Sequence, residues 1–269
     1  MFTKKTIGAA LACALALGAW SGSALSVPVN VNGVSWDTAD PFYLTIDSFN
    51  LRETQIAAPL DVLTGYGQIG SIDNNNNFCP SCDLTFTFSY TVQSVNGNQV
   101  VFNNGSYQFY TQAAGSFNAA DPTSVGGTPW LTLVGHQEKN ATFTDDVGEL
   151  FATVNGPISN PLVGSLGFGL ADATAGPAST FLDFNNVNDG LGGFADLNLV
   201  SSFLTKPAAG CTSVSPDPTS PCHYPIGGTG SLTGTASVPE PGVLGMLGLG
   251  LSALGFAVWR RRKETDERA

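Results

Sequence analysis

The chain has 269 residues, of which 12% are charged and 10% are aromatic. Between Val27 and Val238 only three residues are basic, against seventeen Asp and Glu. The three are Arg52, Lys139 and Lys206. Nucleic-acid binding requires clustered cations that displace phosphate counterions, so this composition excludes a DNA- or RNA-binding protein. The aromatic content is high enough for a buried core and excludes a disordered polar tract.

Residues 1–26 have the three parts of a secretory signal peptide. Lys4 and Lys5 precede the apolar run Ile7–Trp20, and small residues follow at Ser21–Ser26. The apolar run is short for a span, which argues against the alternative of an uncleaved membrane anchor. The sequence therefore predicts export through the inner membrane.

The strongest strand pattern lies at Asp83–Gln93, where apolar and polar residues alternate with a period of two. Asn96-Gly97 predicts a turn, and Gln99–Asn103 and Ser106–Gln112 continue as strands. Weaker strands are predicted at Tyr43–Phe49, Trp130–Val134, Ala141–Thr144, Leu150–Val154, Ser165–Leu170, Thr180–Phe184, Asp196–Leu204 and Gly230–Ser237. Many short strands without helical crossovers predict an all-β fold for residues 27–205, a single antiparallel β-sandwich or jelly roll.

A glycine-rich stretch at Gly65–Gly70 fits the spacing G-x-G-x-x-G. Neither a helix nor a βαβ unit is predicted around it, so a dinucleotide site is excluded. We interpret the stretch as a turn-rich loop.

Four cysteines remain after the signal peptide, an even number in an exported chain, which predicts disulfides. Three pairings are possible, and we favour the local one, Cys79–Cys82 with Cys211–Cys222. A redox pair needs its first cysteine at a helix N-terminus, and a strand follows here instead. The ten-residue gap between Cys211 and Cys222 does not fit a zinc site.

The two histidines, His136 and His223, lie in no catalytic motif and are interpreted as surface or loop residues. Asp and Asn cluster at Asp73–Asn77, Asp145-Asp146 and Asp183–Asp189, which turn propensity explains. Because hard oxygen ligands suit calcium, structural calcium stays an alternative. No metal centre, cofactor or catalytic residue is otherwise predicted.

Residues 206–238 begin with a proline-rich loop at Lys206–Pro225 and end in either a last strand or a stalk. After them, Val238-Pro239-Glu240-Pro241 precedes the apolar run Gly242–Trp259. A helix of this length rises about 27 Å and can cross a membrane. A basic cluster follows it: Arg260, Arg261, Arg262 and Lys263. The positive-inside rule then places the ectodomain outside the cytoplasm.

The order of these features resembles the PEP-CTERM sorting signal of Gram-negative bacteria over residues 239–269. Pro239, Glu240 and Pro241 match its motif, and Arg260–Arg262 match its basic stop. The resemblance implies exosortase, a membrane cysteine transpeptidase, as a partner that cuts near the motif. It also implies that the apolar helix holds the chain in the inner membrane only transiently, before delivery to the cell surface or outside. The six residues after Lys263 are slightly more than the family pattern has.

Three functions remain open on sequence alone. The first is a non-catalytic surface or matrix protein associated with biofilm, floc or exopolysaccharide, which the family resemblance favours. The second is a carbohydrate-binding module with stacking faces from Trp36, Tyr43, Tyr66, Trp130 and Tyr224. The third is a secreted hydrolase with carboxylates among Glu53, Glu138 and Glu149.

Overall fold

The computed structural model describes residues 28–37 and 44–236, and strands dominate this part of the chain. The strands are β1 Val29–Val31, β2 Val34–Trp36, β3 Leu44–Glu53, β4 Val62–Ile72, β5 Cys82–Asn96, β6 Gln99–Ala113, β7 Thr128–His136, β8 Glu138–Lys139, β9 Val147–Gly148, β10 Leu150–Thr153, β11 Ser165–Ala175, β12 Val187–Asn188, β13 Phe194–Ala195, β14 Leu197–Thr205 and β15 Ile226–Gly234. Three single-turn 3₁₀ helices lie at Pro122–Ser124, Ser179–Phe181 and Pro221–His223. The predicted all-β class is confirmed.

The main sheet is antiparallel and closes on itself. Its strands run in the order β10, β11, β14, β15, β3, β4, β5, β6, β7, and β10 also pairs with β6 while β11 also pairs with β7. Those two additional pairings close the sheet, and β3 and β15, its first and last strands along the chain, are neighbours in it, with Leu44 of β3 opposite Gly234 of β15. The result is a cylinder in which strands that follow one another in the chain are mostly neighbours.

One position of the cylinder is filled by two short strands instead of one. β6 pairs with β7 through Ser106–Thr111 and with β10 through Gln99–Phe102. β11 pairs with the same two strands on its other edge. β7 and β10 are therefore two halves of one interrupted strand, and the intervening segment carries the β8–β9 hairpin.

This closure corrects the prediction of a two-sheet sandwich or jelly roll. Alternating apolar and polar residues indicate a strand with one buried face, and that pattern is the same in a sandwich and in a closed cylinder. Which strands pair across the sheet is set by contacts far apart in sequence. The pairing of β3 with β15 has no local sequence pattern to predict it.

The strand predicted at Asp83–Gln93 is confirmed within β5, and its apolar side chains are buried. The glycine-rich stretch at Gly65–Gly70, interpreted as a loop, instead lies within β4. In the register of β4 and β5, Gly65 is opposite Phe88 and Gly67 is opposite Phe86. A Cβ atom at Gly65 would lie 2.3 Å from the ring of Phe88, and one at Gly67 would lie 2.7 Å from the ring of Phe86. These glycines make room for the aromatic rings of the next strand.

Two weaker strand predictions are wrong. Ala141–Thr144 forms turns, in which Asn140 accepts hydrogen bonds from the backbone and side chain of Thr142. Thr180–Phe184 begins within the 3₁₀ helix Ser179–Phe181 and forms no strand. Both segments contain β-branched or aromatic residues, but local hydrogen bonding by Asn, Ser and Thr favours turns there.

Both predicted disulfides are present. Cys79 is bonded to Cys82 with a Cα–Cα distance of 5.2 Å, and Cys211 is bonded to Cys222 with a distance of 5.4 Å. The first closes the turn before β5, and the second closes the loop between β14 and β15. Each therefore constrains one loop and not the whole cylinder.

Within residues 28–37 and 44–236, no helix has both the length and the apolar character needed to cross a membrane. The predicted signal peptide, the span Gly242–Trp259, the sorting motif and the basic cluster lie outside the described residues.

Candidate functional site

A cluster of ionisable side chains surrounds His136 at the end of β7, where the interrupted strand breaks. His136 Nδ1 lies 2.7 Å from Asp172 Oδ2, and His136 Nε2 lies 3.2 Å from Asp189 Oδ2. His136 is opposite Leu170 of β11, so Asp172, two residues further along that strand, is its diagonal neighbour. The side chain of His136 is 19% exposed, and that of Asp189 is 6% exposed. The histidine thus lies between two carboxylates with little solvent around it.

Asp189 is held in place by the turn that follows it. Its Oδ1 accepts hydrogen bonds from the backbone N–H groups of Leu191 at 2.7 Å, Gly192 at 3.0 Å and Gly193 at 2.9 Å. Burial opposes ionisation of this carboxyl, but these donors and His136 together hold its pKa below the usual value. One carboxylate oxygen therefore organises the turn, and the other is left for the histidine.

The geometry fits a doubly protonated His136. Burial lowers the pKa of His136, but its hydrogen bonds to Asp172 and Asp189 and their negative charges outweigh burial and raise it overall. A neutral imidazole carries one N–H and can donate to only one of these carboxylates, whereas the imidazolium donates to both. The site consequently binds a proton more tightly than a free histidine does.

Two glutamates lie near this histidine. Burial raises the pKa of Glu138 to about 7 even though the charge of His136 acts to lower it. Its Oε1 atom is buried and has no hydrogen-bond partner among the described residues. Glu149 Oε2 accepts a hydrogen bond of 2.6 Å from the backbone N–H of Gly105 on β6. Burial also raises the pKa of Glu149. A carboxyl with a pKa near neutrality can exchange a proton at physiological pH, which is the main chemical capability of this cluster.

The cluster does not have the arrangement of a nucleophilic triad. In such a triad one imidazole nitrogen contacts a carboxylate and the other contacts a serine, threonine or cysteine nucleophile. Within the described part of the chain, both ring nitrogens of His136 contact carboxylate oxygens. His223, the second histidine, has its Nδ1 2.7 Å from the backbone oxygen of Ser215. Within the described residues, His136 is therefore not placed to activate a hydroxyl group.

The other predicted site residues are spread over the molecule. Four of the five aromatic residues proposed as stacking faces are buried, namely Trp36, Tyr66, Trp130 and Tyr224. Trp36 and Trp130 pack edge to face, as do Tyr66 and Tyr224. Tyr43 lies outside the described residues. Glu53 is buried inside the cylinder, apart from Glu138 and Glu149.

The acidic clusters considered for calcium make hydrogen bonds within the protein. Asp73 accepts a hydrogen bond of 2.8 Å from the N–H of Thr45, and Asp145 accepts one from Gln93. Asp183 accepts one of 2.9 Å from Asn185. Over the two described ranges, no three His, Cys, Asp or Glu side chains are grouped so as to hold a metal ion.

The pH dependence of stability provides a test of the His136 cluster. A histidine whose pKa is raised in the folded state contributes fully to stability at pH values below its unfolded pKa of 6.5. This contribution is lost as the pH rises through the folded pKa. Because Glu138 titrates in the same range, Glu138→Gln should be the reference protein. Adding His136→Gln to it should reduce the free energy of unfolding by about 1 kcal/mol near pH 6 and by much less near pH 9. Urea unfolding at both pH values measures this, and an equal loss at the two would contradict it.

The comparisons with known proteins identify one sorting motif in the chain. Residues 237–263 match the model of the PEP-CTERM protein-sorting motif. Comparison with curated proteins and with solved structures gives no match. The matched residues contain Pro239, Glu240 and Pro241 as well as the basic cluster, in agreement with the resemblance noted from the sequence.

Proposed function

We propose that this exosortase-sorted chain is a surface or extracellular-matrix protein that acts by associating with exopolysaccharide and not by catalysis. The main observation in support is the PEP-CTERM motif at residues 237–263, which implies export and processing by exosortase. The motif begins directly after Ala236, the last described residue. The described fold is therefore the part that sorting would deliver to the cell surface or medium, where it would contribute to a biofilm or floc.

The ionisable groups support a non-catalytic role. Glu53 lines the cavity in the core, whereas Glu138 and Glu149 lie beside His136, so at most two of the three carboxylates belong to one site. Glycoside hydrolysis requires two carboxylates that flank the same bond. The secreted-hydrolase alternative would therefore depend on the His136 cluster alone.

The charge balance favours an uncharged polymer as the partner. Three basic residues against seventeen acidic ones between Val27 and Val238 would repel an acidic polysaccharide. On the outer face of β14 and β15, Ser202 and Thr229 instead present hydroxyl groups, which form a cross-strand hydrogen bond of 3.1 Å. Because four of the aromatic candidates are buried, we propose hydrogen bonding and not ring stacking as the main contact.

Fractionation of cultures tests this proposal. We expect the exported protein in the matrix fraction of a strain that makes exopolysaccharide and in the medium of a matched strain that makes none. The purified protein should also sediment with the purified polymer without releasing reducing sugar. Recovery in the medium from both strains would overturn the association. Release of sugar by the wild type but not by Glu138→Gln would show the hydrolase alternative.

A further inference from the structure

The interior of the cylinder contains a cavity of about 70 Å³. Aromatic rings from β5 and β6 line one part of its wall, contributed by Phe86, Phe88, Phe102, Tyr107 and Phe109. Residues with little or no side chain line another part, namely Ser48, Gly167, Ser201, Gly230 and Ser231. Native cores are packed with few voids larger than a water molecule, so a void of this size needs an explanation.

A single acidic side chain lines this cavity. Glu53, at the end of β3, is 8% exposed, and in the described part of the chain its carboxyl group has no hydrogen bond or ion pair. Within the described residues the adjacent Arg52 forms no ion pair with it, and that guanidinium donates to the backbone oxygen of Lys206 instead. A buried carboxyl without a cation is held in its neutral form, and its O–H then requires an acceptor.

We infer that the cavity binds a short, uncharged, apolar molecule whose oxygen accepts a hydrogen bond from Glu53. A ketone, ester or lactone has this chemistry. A cavity of 150 Å³ holds a six-membered ring, so a cavity of about 70 Å³ suits a molecule of roughly three or four heavy atoms. The aromatic walls contact the apolar part of the molecule, and Glu53 fixes its orientation.

The end of the cylinder nearest Glu53 offers an entrance. The loop between β10 and β11 covers this end, and its residues Ile158 and Pro161 line the cavity. One hydrogen bond of 2.6 Å, from Gln55 Nε2 to the backbone oxygen of Ser159, joins this loop to the segment after β3. Leu162 and Val163 on the same loop are exposed. The backbone N–H of Thr205 at the end of β14 also donates a hydrogen bond of 2.8 Å to the backbone oxygen of Pro161, so entry through this end would require both bonds to break.

The titration of Glu53 gives the site a characteristic pH dependence. Burial raises the pKa of Glu53 to about 8. Tyr107 is the other titratable residue lining the cavity, and burial raises its pKa well above the usual value, so it stays neutral throughout this range. A ligand that only accepts a hydrogen bond therefore binds below pH 8 and is released above it, since the carboxylate cannot donate.

The experiment uses 2-alkanones from acetone to 2-heptanone as probes of the exported protein recovered from cells, with saturation-transfer difference NMR. We expect saturable binding that is strongest for acetone, which has four heavy atoms, and that falls as the alkyl chain lengthens. It should weaken about tenfold or more between pH 6 and pH 9.5. Glu53→Gln keeps an N–H donor and should bind equally at both pH values. Matched 2-alkanols, which can donate to the carboxylate, should lose less affinity than the ketones.

Two further variants separate this site from non-specific binding. Ala152→Leu fills the cavity and should abolish binding, with its thermal unfolding measured to verify folding. Glu53→Leu removes the hydrogen-bond donor. Its ketone binding at pH 6 should therefore be as weak as that of the wild type at high pH. An absence of saturable transfer would overturn the inference, because the cavity would then hold water alone. Unchanged binding by folded Ala152→Leu, or a pH dependence that persists in Glu53→Gln, would also overturn it.

Discussion

Replacing Pro239, Glu240 and Pro241 by alanine is expected to leave the full-length chain in the inner membrane and to reduce processed protein outside the cell by about tenfold or more. Proline disfavours a helix at its own position and at the residue before it, so both prolines favour the extended conformation in which a protease binds a peptide. Glu240 is the only charged residue in Val238–Pro241. The substitutions remove these features but leave the apolar run Gly242–Trp259 unchanged.

A matched variant controls for the number of substitutions and for the loss of acidic residues. Changing Glu264, Thr265 and Asp266 to alanine alters three residues beyond the matched motif and should leave processing intact. Immunoblots of inner-membrane, surface and medium fractions compare the two variants with the wild type. Normal processing of the first variant would refute recognition through the Pro-Glu-Pro motif and leave only a membrane anchor.

Replacing Gly65 by alanine is expected to reduce the free energy of unfolding by about 3 kcal/mol. The new methyl group would lie 2.3 Å from the Phe88 ring and 2.5 Å from the backbone oxygen of Arg52. Both neighbours are inside a continuous hydrogen-bonded sheet, so neither can move far. Gly230→Ala is the matched control, because its methyl group would meet its nearest atom at 3.5 Å, an ordinary contact distance.

Urea unfolding of the two alanine variants tests this packing. A smaller side chain at position 88 should restore part of the loss, so Gly65→Ala with Phe88→Leu should be more stable than the sum of the two single changes predicts. Equal stability of Gly65→Ala and Gly230→Ala would show that the close contact between β4 and β5 is not as the structure has it.

The sequence predicted the parts of the molecule that have a local pattern. β5 was predicted because its aromatic and β-branched residues alternate with hydroxyl residues, and the sorting motif was predicted because its elements are adjacent in the chain. β4 was missed because Gly65, Gly67 and Gly70 are typical of loops. Glycines are present in β4 because Phe86 and Phe88 on the next strand need the space, and this is visible only once the strands are paired.

The His136 cluster could not be predicted for a different reason. Its members come from β7, β11 and the turn that follows β12, and Asp172 and Asp189 lie 36 and 53 residues from His136 in sequence. No motif links such distant residues. They come together because β11 lies beside β7 in the closed sheet and because the turn after Asp189 directs one carboxylate oxygen toward the histidine.

The pairing of Leu44 with Gly234 determines when the exported chain can finish folding. A chain that crosses the membrane with its N-terminus first presents β3 long before β15, so β3 has one edge without a partner during most of translocation. Unpaired strand edges are sites of aggregation and proteolysis. Because β15 ends five residues before Pro239, this edge is covered only when the segment next to the sorting motif has emerged. Periplasmic chaperones that protect strand edges are consequently expected to matter most for this protein in the interval before its last strand is released.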